Sequence, residues 1–234
     1  MELRLLIIAI IPAAIIILGV YLSDRHDKEP IEILFLTYVL GALVVIPSII
    51  VEEILISLNV FPGTLGAFYN AFIVAGTTEE FFKRQVVLRY PYKTKYFDEK
   101  LDGIVYSVFA TMGFATVENI IYVAFRYTNN PFIGLYRGIF SVPAHAVFGI
   151  TMGYYLSLAK FDTNIDRKRR NMRKSLYMPI IMHGIFDFIL MAEIPQLTLI
   201  FVPYVIFLWV LNQRKLAHFI YDSRNKVIGL KEKE

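Results

Sequence analysis

The sequence contains no cysteine among its 234 residues. This absence excludes a disulfide framework, a thiol nucleophile and any metal site built from thiolates. A Gly-rich phosphate loop, a Gly-x-Ser-x-Gly nucleophile motif and the H-E-x-x-H motif of soluble metalloproteases are also missing. Any chemistry in this chain must therefore rest on histidine, carboxylates and hydroxyl groups.

Charged residues are scarce as well. They make up 19% of the chain, whereas hydrophobic residues make up 56% and aromatic residues 15%. A soluble domain of this length needs more polar surface than that, so the composition indicates an all-α, polytopic membrane protein. The formal net charge of +4 is gathered in a few hydrophilic loops, which is a topology signal and gives no support for nucleic-acid binding.

Long apolar runs predict about seven transmembrane helices in a single membrane domain covering residues 1–234. The predicted helices lie near residues 5–22, 31–58, 67–90, 103–127, 135–160, 175–193 and 195–212. Pro47 is expected to kink the second helix. Basic residues gather after the first, third and fifth helices, notably in the stretch 161–174, and in the tail at 213–234. The positive-inside rule then predicts an N-terminus outside, an extracytoplasmic turn at 128–131 and a cytoplasmic C-terminus.

An acidic pair interrupts the third predicted helix. Glu79 and Glu80 lie inside the apolar segment 67–88, where a buried charge costs roughly 2.5 kcal/mol or more. Lys83 and Arg84 follow the two glutamates at a spacing of four residues and are expected to neutralise them in part. Because the glutamates lie about 100° apart on a helix, we expect them to point at different places. A buried ionisable cluster of this kind indicates a functional site.

Other predicted helices carry ionisable side chains at a similar depth. Glu118, His145 and His183 fall roughly 12 to 15 Å from the outer ends of their helices, and the acidic pair falls at about 18 to 20 Å. Asp187 is somewhat shallower. Scattered structural polar residues would not favour one layer, so this set indicates a site in the outer to middle part of the bilayer. Glu118 has no Lys or Arg within a turn of its own helix, so a metal, an imidazolium or a proton must accompany it.

The residue types in this layer allow two kinds of hydrolysis. Two imidazoles and carboxylates can hold Zn²⁺ with an open position, while another glutamate takes a proton from water. Without a metal, a glutamate can activate water while the imidazoles stabilise a tetrahedral oxyanion. His183 and Asp187 share a helix face, so the carboxylate can orient the imidazole or bind beside it. Both alternatives describe hydrolysis of an acyl bond in the membrane, and the residues leave the choice open.

Several motifs follow one another in an order that resembles the PrsW family of intramembrane proteases. They are Lys28-Glu-Pro30, Glu79-Glu80-x-x-Lys83, Asp102-Gly-Ile-Val-Tyr106, Gly113-Phe114-Ala115 with Glu118-Asn119, His145-Ala146-x-Phe148-Gly149 and His183-Gly-x-Phe186-Asp187. Together they span almost the whole chain. The related CAAX-processing proteases have Phe-x-x-x-His and His-x-x-x-Asn, whereas this chain has Glu118 and Asp187 at the last positions. These departures favour PrsW over prenyl-protein processing.

The resemblance implies a multi-pass endopeptidase of a prokaryotic plasma membrane. PrsW-like enzymes make the first, extracytoplasmic cut in a membrane-spanning anti-sigma factor, which would be the protein partner here. In this interpretation Glu79 or Glu80 is the water-activating base, and Glu79 is preferred. The predicted ligands of a Zn²⁺ cofactor are Glu118, His145, His183 and Asp187, with Asp187 as fourth ligand or as an orienting group.

Three other functions stay open from the residues alone. A CAAX-type membrane protease or a proton-coupled transporter could use the same buried Glu and His, since such residues also mark proton relays. No half-to-half repeat is visible, which weakens the transporter interpretation. The third is a non-catalytic adaptor that binds another transmembrane segment.

Overall fold

The computed structural model describes residues 3–25, 27–123 and 131–231. Every regular element among these residues is a helix, which confirms the all-α class. A π-helix (Tyr69–Thr77) joins α4 to α5, and a 3₁₀-helix (Pro91–Lys93) follows α5. The α-helices are α1 (Leu3–Ser23), α2 (Ile31–Leu43), α3 (Val45–Ser57), α4 (Gly63–Phe68), α5 (Thr78–Arg89), α6 (Lys100–Ile121), α7 (Pro131–Ile139), α8 (Ser141–Phe161), α9 (Ile165–Met191) and α10 (Pro195–Lys231).

Six helical stretches of the described residues are long and apolar enough to cross a membrane. They lie in α1, the α2–α3 pair, α6, the α7–α8 pair, α9 and α10. The third predicted helix is present as one run from α4 through the π-helix to α5, although it is not among the six. A polytopic membrane protein is thus confirmed, while the total of seven spans and their orientation stay predictions. The predicted turn at 128–131 begins in residues outside the described part of the chain.

Two helices extend beyond their predicted bounds. α9 begins at Ile165 and not near residue 175, and α10 continues to Lys231 and does not end at 212. The Asn164 side chain caps α9 by accepting hydrogen bonds from the N–H groups of Asp166 and Arg167, both at 3.0 Å. Since Lys and Arg are good helix formers, most of the basic stretch 161–174 belongs to α9, and only residues 162–164 form the link from α8.

Two predicted long helices break shortly before a proline. α2 and α3 meet at Val44, and α7 and α8 meet at Phe140. Pro47 is then the third residue of α3, and Pro143 is the third residue of α8. In a first helical turn the missing N–H of proline leaves no hydrogen bond unmade. The kink expected at Pro47 is therefore a break that precedes the proline.

α6 lies at the centre of the bundle. Its side chains are buried from Leu101 to Thr116, and it packs against α1, α2 and α8. Gly153 of α8 lies so close to α6 that a Cβ there would overlap the carbonyl oxygen of Gly103. A small residue at such a contact lets two helix backbones approach. This contact fixes α8, which carries His145, against α6, which carries Glu118.

The loop between α1 and α2 buries two carboxyl groups against α6. Asp24 and Glu29 are both buried, and the Tyr106 hydroxyl donates a hydrogen bond to Glu29. Burial raises the pKa of Glu29 to about 7 and the pKa of Asp24 to about 6. Asp98 beside Glu29 and Glu99 beside Asp24 act in the same direction, because a nearby negative charge disfavours ionisation.

We expect this loop to dock less tightly as the pH rises. The folded state holds the protons of Asp24 and Glu29 more strongly than the unfolded chain, where the ordinary pKa values are 3.8 and 4.5. The contribution of docking is therefore complete below about pH 4 and falls as the pH rises through about 6 and 7. Hydrogen exchange of the loop amides, corrected for its intrinsic pH dependence, should be faster at about pH 8 than at about pH 5. Glu29→Gln should flatten this change, and equal protection of the native loop at both pH values would contradict the prediction.

Candidate active site

Three helices bring two glutamates and two histidines together inside the bundle. Glu79 and Glu80 come from the first turn of α5, His145 from α8 and His183 from α9. All four are buried, with exposed fractions of 6%, 0%, 3% and 3%. Each offers one potential ligand atom, and these atoms all lie within 4.8 Å of one another. The structure thus brings together four of the six residues that the sequence indicated.

Lys83 lies within this cluster. Its side chain is fully buried, and its Nζ lies 2.8 Å from Glu79 Oε2, 2.9 Å from Glu80 Oε1 and 3.0 Å from His145 Nδ1. The ring of Phe114 faces the same ammonium group at 4.2 Å. The predicted pairing of Glu79 with Lys83 is confirmed, and one cation compensates both carboxylates.

Two expectations about the glutamates are wrong. Arg84 does not pair with Glu80, because its Nε donates to Ser175 Oγ at 2.8 Å and the side chain turns towards α9. Residues three apart on a helix are also neighbours, so Lys83 reaches Glu80 as well as Glu79. The two carboxylates meet at one ammonium group, since their flexible side chains cover the angle between the two helix positions.

Each histidine directs its two ring nitrogens to opposite sides. Nε2 of His145 lies 2.8 Å from Glu118 Oε2, and Nε2 of His183 lies 3.2 Å from Asp187 Oδ2. The Nδ1 atoms face the cluster, where His183 Nδ1 lies 3.0 Å from Glu80 Oε1. A carboxylate on the outer nitrogen orients an imidazole and leaves the inner nitrogen for a ligand. Glu118 and Asp187, which the sequence predicted as metal ligands, thus lie behind the histidines and outside the converging group.

Arg137 is a partner of Glu118 that the sequence pattern did not indicate. The Arg137 Nη2 lies 2.9 Å from Glu118 Oε1, its Nε donates to Asn119 Oδ1 at 3.2 Å, and its guanidinium lies 3.7 Å from the centre of the Tyr122 ring. The sequence showed no cation within a turn of Glu118 on its own helix, whereas the next helix, α7, supplies one. One signal was present, because Arg137 lies close to the predicted outer end of the helix 135–160, where basic residues are scarce.

The π-helix before α5 brings α9 close to the glutamates. It packs directly against α9, and a Cβ on Gly184 would overlap the ring of Phe72 in the π-helix. Glycine at the position after His183 therefore permits the close approach that lets His183 reach Glu80. π-helical turns are rare and occur frequently at functional sites.

A cavity of about 330 Å³ reaches the cluster. Its apolar walls include residues of α3, the π-helix, α6, α8 and α9, and its polar lining includes Glu52, Glu79, Glu118, Arg137, His145, His183 and Asp187. The volume lies within the range of about 300 to 1,000 Å³ that is common for ligand sites. Glu52 accepts a hydrogen bond from Ser48 at 2.8 Å and is not part of the converging group. A substrate group in the cavity can therefore reach Glu79 and the histidines.

Fold and site together define a class of protein. Buried carboxylates and oriented imidazoles line a cavity within a helical bundle that has several membrane-spanning helices. A carboxylate that can take a proton from water, beside groups that can hold a metal ion or polarise a carbonyl, supplies the parts of a hydrolase. The class is an intramembrane hydrolase built on Glu and His.

Comparison with known proteins gives the family. A family model described as PrsW family intramembrane metalloprotease matches residues 29–211. Protease PrsW of Clostridioides difficile (strain 630) is 39% identical over 230 residues, which cover 98% of this chain and 97% of the relative. Protease PrsW of Bacillus subtilis (strain 168) is 34% identical over 195 residues, which cover 83% and 86%. No solved structure gives a significant match. The chain belongs to the PrsW family of intramembrane metalloproteases, which confirms the resemblance found in the sequence.

Replacing Arg137 with glutamine is expected to lower activity by about 10- to 100-fold, the range that is typical when an outer hydrogen-bond partner of an active-site histidine is lost. Without the guanidinium, the Glu118 carboxylate loses its cation and holds His145 less firmly. Arg137→Lys should restore part of the activity, because lysine supplies the positive charge but not the planar guanidinium that can form two hydrogen bonds at once. The activity of both variants should be measured beside that of a control, Arg214→Gln, because Arg214 is exposed on α10. Equal activity of Arg137→Gln and Arg214→Gln would mean that Arg137 does not support Glu118 and His145.

Proposed function

We propose that this protein hydrolyses a peptide bond in a membrane-spanning protein substrate. The observation that carries the proposal is the convergence of Glu79, Glu80, His145 and His183 beside a cavity in the bundle. Membership in a protease family supports the same reaction class. It gives no support to the proton-coupled transporter or the non-catalytic adaptor.

Zn²⁺ is the cofactor that we propose, held by His145, His183 and Glu80. Two imidazoles and a carboxylate are a common donor set for a catalytic zinc ion, and Glu80 Oε2 is buried without a hydrogen-bond partner among the described residues. A bound zinc ion would supply a Lewis acid and lower the pKa of water beside it. Lys83 would first have to release Glu80 and His145, because its ammonium group contacts the same side chains.

Glu118 and Asp187 are assigned as orienting residues, which revises the ligand set suggested by the sequence. Each contacts the outer nitrogen of one imidazole, at 2.8 Å and 3.2 Å. A carboxylate in that position fixes the tautomer, raises the basicity of the inner nitrogen and restrains the ring. The two carboxylates therefore act through His145 and His183.

Glu79 is the proposed base. Its side chain is 8% exposed and lines the cavity, whereas the Glu80 side chain is 0% exposed. From this position the Glu79 carboxylate can take a proton from water as the water attacks the scissile carbonyl, and can then deliver the proton to the leaving amine. Lys83, 2.8 Å away, compensates the carboxylate while it is charged.

A metal-free glutamic mechanism would use the same residues. The specific observation in its favour is Lys83, whose ammonium group already supplies a positive charge to the cluster. In that mechanism a histidine would donate a hydrogen bond to the tetrahedral oxyanion. The two mechanisms give the same products and differ in their response to metal removal.

The proposed substrate is an anti-sigma factor with a single membrane span, cut on the extracytoplasmic side of the bilayer. The relatives described above are bacterial, which supports the cell membrane as the location. An intramembrane site suits such a substrate, because a peptide bond in the outer part of the bilayer can enter the cavity only from the membrane or its surface.

The test is cleavage by the purified protein reconstituted in lipid vesicles. A panel of single-span membrane proteins, including an anti-sigma factor, should be supplied in the same bilayer, with their soluble domains alone as controls. We expect cleavage of a span-containing substrate and none of the soluble controls. Preferential cleavage of the soluble domains would contradict the proposal.

A further inference from the structure

The N-terminal part of α9 carries a basic stripe, defined here as Arg169, Arg170, Arg173 and Lys174. At about 100° per residue, these positions fall on one face of the helix, within roughly 140°. All four side chains are exposed, and together with Tyr177 they line one shallow groove. The proposed active site does not use this surface.

Most of the basic stripe faces away from the bundle, and only Lys174 lies beside a residue of α8. On the opposite side of α9, Arg84 donates hydrogen bonds to the Met172 carbonyl at 2.9 Å and to Ser175 Oγ at 2.8 Å. On the face of the stripe, Tyr177 and Ile181 follow and are 59% and 45% exposed, as expected for side chains that face lipid. Because α9 is unbroken from Ile165 to Met191 and is apolar enough to cross a membrane, we infer that the stripe lies where the helix leaves the apolar layer, at the level of the lipid headgroups.

The positive charge of the stripe is largely uncompensated. Within the described residues none of its four cations forms a salt bridge, whereas the neighbouring Arg167 pairs with Asp162 at 3.0 Å. Asp166 is the single acidic residue that lines the groove. Lys174 lies 5.5 Å from the centre of the Tyr155 ring, a contact that leaves its charge in place. The groove therefore attracts an anion.

We propose that the basic stripe of α9 binds the phosphate headgroup of an anionic phospholipid. Guanidinium groups bind phosphate oxygens in a bidentate manner, and basic clusters next to a membrane helix are typical of anionic-lipid recognition. An acyl chain of the lipid would lie along Tyr177 and Ile181, which a soluble phosphate could not contact. The site lies at the end of α9 that is predicted to be cytoplasmic, and it is independent of the proposed proteolytic function.

The proposal is tested with the purified full-length protein in a zwitterionic detergent. Short-chain phosphatidylglycerol, short-chain phosphatidylcholine and glycerol phosphate are titrated separately, and bound lipid is followed by native mass spectrometry. We expect tight binding of phosphatidylglycerol and much weaker binding of the other two. Arg173→Gln should weaken phosphatidylglycerol binding about fivefold, the effect of one basic residue near an anionic lipid surface.

Lys168→Gln is the matched control. Lys168 is exposed in the same turns of α9, but it lies on the opposite face at about 170° from the centre of the stripe. Its replacement should leave binding unchanged, and thermal unfolding in phosphatidylcholine alone should confirm that each variant is folded. If Arg173→Gln does not fold, Arg170→Gln takes its place.

Three outcomes would overturn the proposal. Equal binding of phosphatidylcholine and phosphatidylglycerol would mean that the charge of the headgroup is not recognised. Equal losses in Arg173→Gln and Lys168→Gln would mean that the effect comes from diffuse charge and not from the stripe. Binding of glycerol phosphate as tight as that of phosphatidylglycerol would identify a soluble phosphate site.

Discussion

Replacing Glu79 with glutamine is expected to lower peptide-bond hydrolysis by about 10²- to 10⁴-fold, the usual contribution of a general base. The change keeps the shape of the side chain and removes its ability to take a proton. Before a metal ion binds, Lys83 keeps Glu80 as a partner at 2.9 Å, so no buried ammonium is left without a carboxylate and the protein should still fold. The measurement is cleavage of a reconstituted single-span substrate, with thermal unfolding as the check on folding.

Glu32→Gln provides a matched control for this change. Glu32 is an exposed acid in α2, away from the cluster, and its replacement should leave cleavage unchanged. Loss of cleavage in Glu80→Gln but not in Glu79→Gln would exclude Glu79 as the base. Near-normal cleavage by the double Glu79→Gln, Glu80→Gln variant would exclude both residues from the chemistry.

Replacing either histidine of the cluster with alanine is expected to remove bound metal and activity together. With one ligand missing, too few donors remain for tight zinc binding, so the metal content of His145→Ala and His183→Ala should fall in proportion to cleavage. Chelation of the native protein should abolish cleavage, and added Zn²⁺ should restore it. The measurement is stoichiometric metal analysis beside the cleavage assay.

His218→Ala is the matched control for the histidine variants. His218 is on α10, with a side chain that is 56% exposed, and its replacement should change neither metal content nor activity. An active native preparation without metal, unaffected by chelation, would favour the metal-free glutamic mechanism. In that case His145→Ala and His183→Ala should still lose about 10²- to 10³-fold in activity through the oxyanion contact.

The layer of ionisable residues could be predicted from the sequence because helix geometry relates residue number to depth. Glu79, His145 and His183 lie on different predicted helices, yet their distances from the helix ends indicated one layer. The structure brings them within a few ångströms of one another. The prediction worked because a charge in an apolar segment is costly and needs neighbours that stabilise it.

The contacts within that layer could not be predicted, because they depend on how helices pack and on side-chain torsions. Lys83 contacts two glutamates and a histidine, whereas helix spacing suggested one partner for each cation. Arg137 reaches Glu118 from α7, the helix that follows α6 in sequence. Such pairings depend on close approaches like the one at Gly184, and no periodicity within one helix encodes them.

Helix bounds were predicted least well wherever polarity was taken to mark the end of a helix. The residues from Ile165 to Lys174 are strongly basic and still helical, since the Asn164 cap and good helix formers continue α9 into water. The first polar and charged residues mark the end of the apolar layer, whereas the capping residue marks the end of the helix. In α9 these two boundaries lie about three turns apart.

The most direct test of the account is to map the cut in a reconstituted single-span substrate by mass spectrometry of its products. The account predicts one principal cut inside the membrane span or at its extracytoplasmic edge, made by the native protein and lost in Glu79→Gln. The same cut made at an undiminished rate by the double Glu79→Gln, Glu80→Gln variant would contradict the claim that this buried cluster performs the hydrolysis.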